Sequence, residues 1–242
     1  VIIQEAFAWL FDPANYPGSN GIPTRLWEHV WITLLAVAIA TVVAIPIGFA
    51  IGHTGRVRSF TISLSGGVRA LPTLGVLTLV GLVFGIGLTA PLVALVILAI
   101  PSVLAGAYAG VESVDRGAVD AARAMGMTEW QILWKVEVPL GLPLLIGGIR
   151  AAVLQVVATA TLAAYVGAGG LGGYLFAGIN LQDYGQMLGS SLIVIILAIV
   201  FEIVFAVLER SVVPAGVSGR TSRRRQDAAE RVRTPLPEGN PS

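Results

Sequence analysis

Few residues in this chain are equipped for covalent or acid–base chemistry, and their spacing does not bring them together. There is no cysteine, which removes thiolate nucleophiles, disulfides and thiolate metal sites. The two histidines, His29 and His53, have no partner at metal-ligand spacing. No Ser-His-Asp set and no paired carboxylates in one predicted cavity are legible, so an enzyme reading finds no support. The glycines of VGAGGLGGYLFAG, within 166–178, lack the Lys-Ser/Thr of a phosphate loop and the βαβ context of a dinucleotide site. They read instead as a close approach of helices or a re-entrant turn. Glu202 is the one acidic residue embedded in a long apolar run, about two turns before Glu209-Arg210. An ionisable group in such a place is a functional hypothesis by default. Its position near the polar end favours a structural or gating pair, with proton or ion coupling as the runner-up. Arg150, seven residues after Pro143, is placed at the same interface.

The elements that hold these residues are written in apolar residues. Of 242 residues, 55% are hydrophobic and 12% charged, against about 25% charged in a soluble domain. No Asp, Glu, Lys or Arg lies between Arg69 and Glu112, and only Asp183 between Arg150 and Glu202. Such runs predict membrane spans of about 20 residues each. The expected fold is all-α, a polytopic helical bundle of about five spans near 30–51, 73–88, 91–110, 144–166 and 187–208. An amphipathic piece at 59–70 precedes the second span. Pro46, Pro72 and Pro101 are expected to start or kink helices, with neighbours satisfying the freed carbonyls. Thr159 and Thr161 are read as bonding back to their own helix.

Basic residues orient the bundle. With the N-terminus outside, every one of the 15 lysines and arginines except Arg25 falls on the cytoplasmic side. Residues 1–29 are then an extracytoplasmic segment without the basic region and cleavage site of a signal peptide, and 30–212 are the membrane domain. The tail at 213–242, rich in Arg, Pro and polar residues, reads as a disordered cytoplasmic extension. Its arginines are read chiefly as a solubilising stop-transfer feature, with anionic lipid contact as the alternative.

One stretch interrupts the lipid alphabet: DAARAMGMTEWQILWKVEVP at 120–139, inside the cytoplasmic loop 111–143. A short helix over 117–125 is predicted to end at Gly126 in the left-handed C′ position. Thr128 and Gln131 have the spacing of a capping box for a second helix. Trp130, Leu133 and Trp134 share one face of that helix, which Pro139 is expected to end. The unit has the shape of a docking device. Nucleic acid is not its partner, because the second helix offers Lys135 against Glu129 and Glu137 and so has no net attraction for phosphate.

Here the chain resembles a known family. Asp120-Ala121-Ala122, three residues, Gly126, nine residues, then Val136-Glu137-Val138-Pro139 is similar to the EAA loop of ABC-importer permeases, Glu-Ala-Ala-x3-Gly-x9-Ile-x-Leu-Pro. Asp replaces Glu and carries the charge on a shorter arm, while Val replaces both Ile and Leu. The runs GGIRAAVLQVVATATLAAYVGAGGLGGYLFAGINLQDYG and VRALPTLGVLTLVGLVFGIG resemble permeases of the osmoprotectant type, for glycine betaine, carnitine and choline. The resemblance implies a type I importer architecture like that of the methionine permeases. It also implies a bacterial inner-membrane location and a coupling helix seated in a groove of an ATPase. The partners implied are two ATPase subunits, a second permease chain (identical or homologous), an extracytoplasmic solute-binding protein and membrane lipid. No cofactor is expected on this chain, ATP-Mg being carried by the ATPases. For a quaternary-ammonium substrate, cation–π contact of about 2 kcal/mol or more when desolvated nominates Phe84, Tyr108 and Tyr165, with Tyr174 and Phe176 just beyond the spans, though each is read first as helix packing or interfacial belt. Two alternatives stay open: an ABC permease for another small solute such as methionine, and an ion-coupled secondary transporter built on Glu202.

Overall fold

The computed structural model describes residues 1–56 and 58–212, without the side chains of residues 58, 60, 62 and 64. The basic tail expected at 213–242 lies outside the described residues. Ten helices follow in order: α1 (Ile2–Phe11), α2 (Ile22–Thr54), α3 (Arg58–Ala70), α4 (Thr73–Phe84), α5 (Thr89–Glu112), α6 (Arg116–Ala124), α7 (Glu129–Ile132), α8 (Val138–Ala160), α9 (Gly172–Leu181) and α10 (Tyr184–Val212). A π turn, Leu133–Glu137, joins α7 to α8, and a 3₁₀ segment, Thr161–Val166, extends α8.

Small residues dictate how the long helices meet. Along α2, Ala36, Ala40, Ala44, Gly48 and Gly52 recur every fourth position and are buried, so they form one stripe down a single face. That stripe packs on Ala99, Val103, Ala107 and Val111 of α5. On its other side α5 meets α8 through paired glycines. A Cβ on Gly106 would lie 2.7 Å from the Gly148 Cα, and one on Gly141 would lie 2.5 Å from the Gly110 carbonyl carbon. Lipid supplies no hydrophobic drive between helices, so close backbone packing of this kind provides the cohesion.

The same contacts give the direction of each helix. Gly48 faces Leu104 and Ala107, and Gly52 faces Tyr108 and Val111, so α2 and α5 run parallel. The chain must therefore return across the bundle between them. It does so in two pieces laid antiparallel to α5. Thr61 and Ser65 share a cavity with Leu104 and Tyr108, Arg69 reaches Pro101, and Val76 and Leu77 pack with Ala94. α8 runs antiparallel to α5, and α10 antiparallel to α8, with Arg150 on Glu202 and Ala158 beside Ser190.

Four helical stretches are individually long and apolar enough to span: α2, α5, the continuous run Glu129–Val166 and α10. The expected second span differs. α4 has 12 residues, about 18 Å at 1.5 Å per residue, short of the roughly 30 Å hydrocarbon core. α3 and α4 make that crossing together, broken at Leu71-Pro72 because proline lacks an N–H and disfavours helix in the residue before it. Five crossings result, the second in two pieces.

Two further differences concern element ends. α2 begins at Ile22, eight residues before the expected start, led by Pro23 in its first turn, and closes on Gly55 at φ 67°. Residues 2–11, expected as part of an extracytoplasmic segment, form an apolar helix along the first turns of α10, with Glu5 against Gly185 and Trp9 against Gly189. The remaining face of α10, including Ile195, Ile199, Ile203 and Val207, is exposed and apolar, as a lipid-facing surface requires.

Candidate functional site

The docking unit starts where α5 stops. Asp115 caps α6, its Oδ1 accepting the Gly117 N–H at 3.0 Å. α6 ends in a Schellman arrangement: the Met127 N–H donates to the Ala122 carbonyl and the Gly126 N–H to that of Arg123. Gly126 holds φ 83°, a left-handed conformation that costs an L-residue about 1–2 kcal/mol. Thr128 then caps α7 with a reciprocal pair, its side chain accepting from Gln131 N at 3.3 Å while Gln131 Oε1 accepts from Thr128 N at 3.0 Å.

Polar clamps and a small core fix the two helices against each other. Arg123 donates from Nε and Nη2 to the two carboxylate oxygens of Glu129 at 2.8 and 2.9 Å, and from Nη1 to Asp120 at 3.1 Å. These hydrogen bonds hold the Glu129 carboxyl below its usual range and raise the Arg123 guanidinium above its own. Solvent screens an exposed pair of this kind, so its value here is geometric. Beneath it, Val114, Val119, Ala122 and Ile132 form a buried cluster with Met127 and Val136.

Pro139 does not end the second helix, contrary to expectation. It sits in the first turn of α8, and the π turn before it carries the helix through, with the Val138 N–H donating to Leu133 five residues back. Proline has no N–H to give, and a first-turn position is where that absence is tolerated. In consequence α7 is continuous with the fourth crossing, and the two form one helical rod.

Inside that rod's elbow lies a contact absent from the sequence reading. His53, on the last turn of α2, meets Glu137 through Nδ1 at 2.5 Å and approaches Glu129 through Nε2 at 3.4 Å. Glu137 is buried. No local pattern links these residues. Their one visible signal was a carboxylate inside an otherwise apolar ValGluValPro run.

Among the expected docking residues, Asp120, Ala121 and Gly126 are exposed, while Ala122 is buried beneath them. Trp130 and Trp134 do share a face, with rings 5.7 Å apart, but Trp134 leans edge-on to Phe49 of α2 at 5.9 Å. The two rings and His53 line a groove of about 450 Å³ beside Pro46. The exposed surface of the unit comprises the outer face of α6, with Arg116, Asp120, Ala121, Ala124 and Met125, together with Trp130 and Trp134.

Arg150 is the hub of a second polar cluster. It donates from Nε to Glu202 at 2.7 Å, makes a second contact with the same carboxylate, and reaches Glu209 at 3.1 Å. The aromatic candidates are not brought together. Tyr108 stands near the docking end of α5, whereas Phe84 ends α4 and Tyr165 lies in the 3₁₀ segment, exposed and 5.7 Å from Phe176. At that far end Gly167, Gly169 and Gly170 all hold φ near +80°. The turn they make is pinned by Glu28, which accepts the Gly170 N–H at 2.9 Å and pairs with Arg25 at 2.8 Å.

Five crossings cemented by small residues, with a compact helical unit continuous with one of them, define a polytopic helical membrane protein. The chain belongs to the family described as binding-protein-dependent transport system inner membrane component, which matches residues 41–215. Among similar proteins, the carnitine transport permease protein OpuCB of Listeria monocytogenes is 36% identical over 198 residues, 82% of this chain and 91% of its own length. The glycine betaine/carnitine/choline transport system permease protein OpuCB of Bacillus subtilis is 35% identical over 192 residues, 79% of this chain and 88% of that protein. The osmoprotectant import permease protein OsmW of Salmonella typhimurium is 30% identical over 222 residues, 88% of this chain and 100% of OsmW. A crystal structure of the MetNI methionine ABC transporter, inward facing, shares the fold with a TM-score of 0.69 at 23% identity, over 77% of this chain and 93% of that one.

Proposed function

We propose that this chain is the membrane-spanning subunit of an ATP-driven bacterial importer for a small quaternary-ammonium osmoprotectant, such as glycine betaine, carnitine or choline. The observation that carries the reading is identity of 30–36% to permeases named for these solutes, extending over most of both chains. The docking unit supports the mechanism. Two ATPase subunits, loaded with ATP-Mg, seat the α6 faces of two permease chains, identical or homologous. A solute-binding protein delivers substrate at the opposite end. When the ATPases close, each docking unit moves, and the unbroken α7–α8 rod carries that motion into the bundle. To swing the two states from 1:99 to 99:1, ATP must favour one by about 5.5 kcal/mol. The basic residues Arg116, Arg123 and Lys135 share one end and Arg25 the other, which supports an inner-membrane orientation with the N-terminus outside and the docking end in the cytoplasm. Glu202 is engaged by Arg150, which favours a structural tie over ion coupling.

The test is purification of the chain from native membranes in mild detergent, paired with uptake of labelled glycine betaine, carnitine, choline and methionine. A stoichiometric ATPase and competition among the quaternary amines are expected. Uptake that persists without any ATPase, or that only methionine competes for, overturns the reading.

A further inference from the structure

Arg69 is an arginine at the middle of the membrane. Its Nη2 lies 3.4 Å from the carbonyl oxygen of Pro101. Pro101 is 12 residues after Thr89 and 11 before Glu112, the two ends of α5, or about 17 Å from each at 1.5 Å per residue. By sequence alone Arg69 counts among the residues of the cytoplasmic edge. The fold instead lifts it to mid-depth, because α3 climbs along α5 from the docking end. No carboxylate pairs with it among the described residues, and its side chain is exposed on the surface of this chain. A guanidinium at this depth is too costly to face hydrocarbon and marks a water-filled path or binding site.

It opens on a cavity of about 340 Å³ between α3 and α5, lined also by Thr61, Ser65, Leu104 and Tyr108. The cavity wall is thus mainly apolar, with the hydroxyl residues Thr61 and Ser65 on α3, the Arg69 cation at one end and an aromatic ring toward the docking end, since Tyr108 lies two turns beyond Pro101 on α5. Among small solutes, this combination suits one that carries an anionic group and an apolar cationic group on a short frame. Arginine presents a planar fork that matches a carboxylate with two parallel hydrogen bonds, and an aromatic face attracts a quaternary ammonium.

We propose that Arg69 is the carboxylate-binding residue of a mid-membrane transit site, with Tyr108 facing the ammonium group, so that the permease itself prefers zwitterionic quaternary amines over choline. The inference rests on the function proposed above and deepens it. Selection then occurs twice, once in the solute-binding protein and again inside the membrane. Choline carries the same cationic head without a carboxylate and leaves the guanidinium unpaired.

The experiment measures maximal uptake rates of labelled glycine betaine, carnitine and choline in cells that carry the whole importer as their only route. Maximal rates are compared because the binding protein governs the concentration dependence. Arg69→Gln is expected to lower the rates for the two carboxylates about tenfold while choline changes by less than about twofold, as loss of one charge-assisted pair implies. An equal fall for all three solutes, or no change, overturns the site, as does a wild type that prefers choline. Should Arg69→Gln fail to reach the membrane, Arg69→Lys decides, because it keeps the charge and loses the fork. A fall confined to the carboxylates supports the site, and a uniform fall or no change overturns it. Wild-type cells that take up none of the three overturn the reading on which the inference rests, a result seen before any variant is compared.

Discussion

The imidazole of His53 meets the carboxylate of Glu137 at 2.5 Å, joining the last turn of α2 to the π turn that feeds α8, across 84 residues of chain. The Glu137 side chain is 5% exposed and that of His53 17%, so the pair is largely shielded from water. His53→Ala is expected to cost about 1–3 kcal/mol, the penalty of an unsatisfied buried polar group. A double-mutant cycle with Glu137→Leu, read by unfolding in detergent, should give a coupling of at least about 1 kcal/mol. Additive costs would show that the contact contributes nothing specific.

Gly126 holds the corner between α6 and α7 at a positive φ, with nothing within 4 Å of where a Cβ would sit. Substitution there is strained through the backbone alone, without any clash. Gly126→Ala should lower docking-unit stability by about 1 kcal/mol, and Gly126→Pro should abolish the corner. Uptake is expected to fall in that order while the amount of chain in the membrane stays constant. Unchanged uptake by the proline variant would count against the coupling role.

Gly147 and Gly148 are neighbours with opposite consequences. A Cβ on Gly148 would lie 2.7 Å from the Gly106 Cα, whereas one on Gly147 meets nothing within 4 Å. Backbone cannot yield as a flexible side chain can, so Gly148→Ala should cost about 1–3 kcal/mol through overpacking. Gly147→Ala should be neutral or stabilising by up to about 1 kcal/mol through helix propensity. Thermal midpoints in detergent separate the two, and equal effects would refute the close packing of α5 on α8.

Arg150 ties α8 to α10 through Glu202 and Glu209. Glu202→Gln should weaken that tie, lowering thermal stability by about 1–3 kcal/mol and transport together. A charge-reversed pair, Arg150→Glu with Glu202→Arg, should recover part of the stability. If Glu202→Gln leaves stability intact and abolishes transport, ion coupling through this residue becomes the better account.

Periodicity and composition were enough to read the α-helical class, the number of crossings and the local chemistry of the docking unit. Those are short-range matters. Apolar runs report burial in lipid, a Thr-x-x-Gln spacing reports a cap, and Gly126 reports a left-handed corner, each decided within a few residues. Where the reading failed, a longer-range term won. Pro139 is a helix stop by propensity, yet a π turn carries the helix past it. Trp130 and Trp134 share an exposed face, as their spacing implies, but the edge contact of Trp134 with Phe49 of α2 was not legible in it.

What only the tertiary structure decided is which distant residues share a depth in the membrane. Arg69 counted as a cytoplasmic-edge residue on the assumption that a span begins where an apolar run begins. The parallel course of α2 and α5 forces the intervening chain to climb, and that climb lifts Arg69 to the level of Pro101. His53 with Glu137, Arg150 with Glu202, and Glu28 with the Gly170 turn are likewise pairs separated by 52 to 142 residues. Sequence spacing determined the long apolar helices and the caps and corner of the docking unit. Because packing of small residues sets helix order and direction, only the assembled bundle determined where its few charges meet.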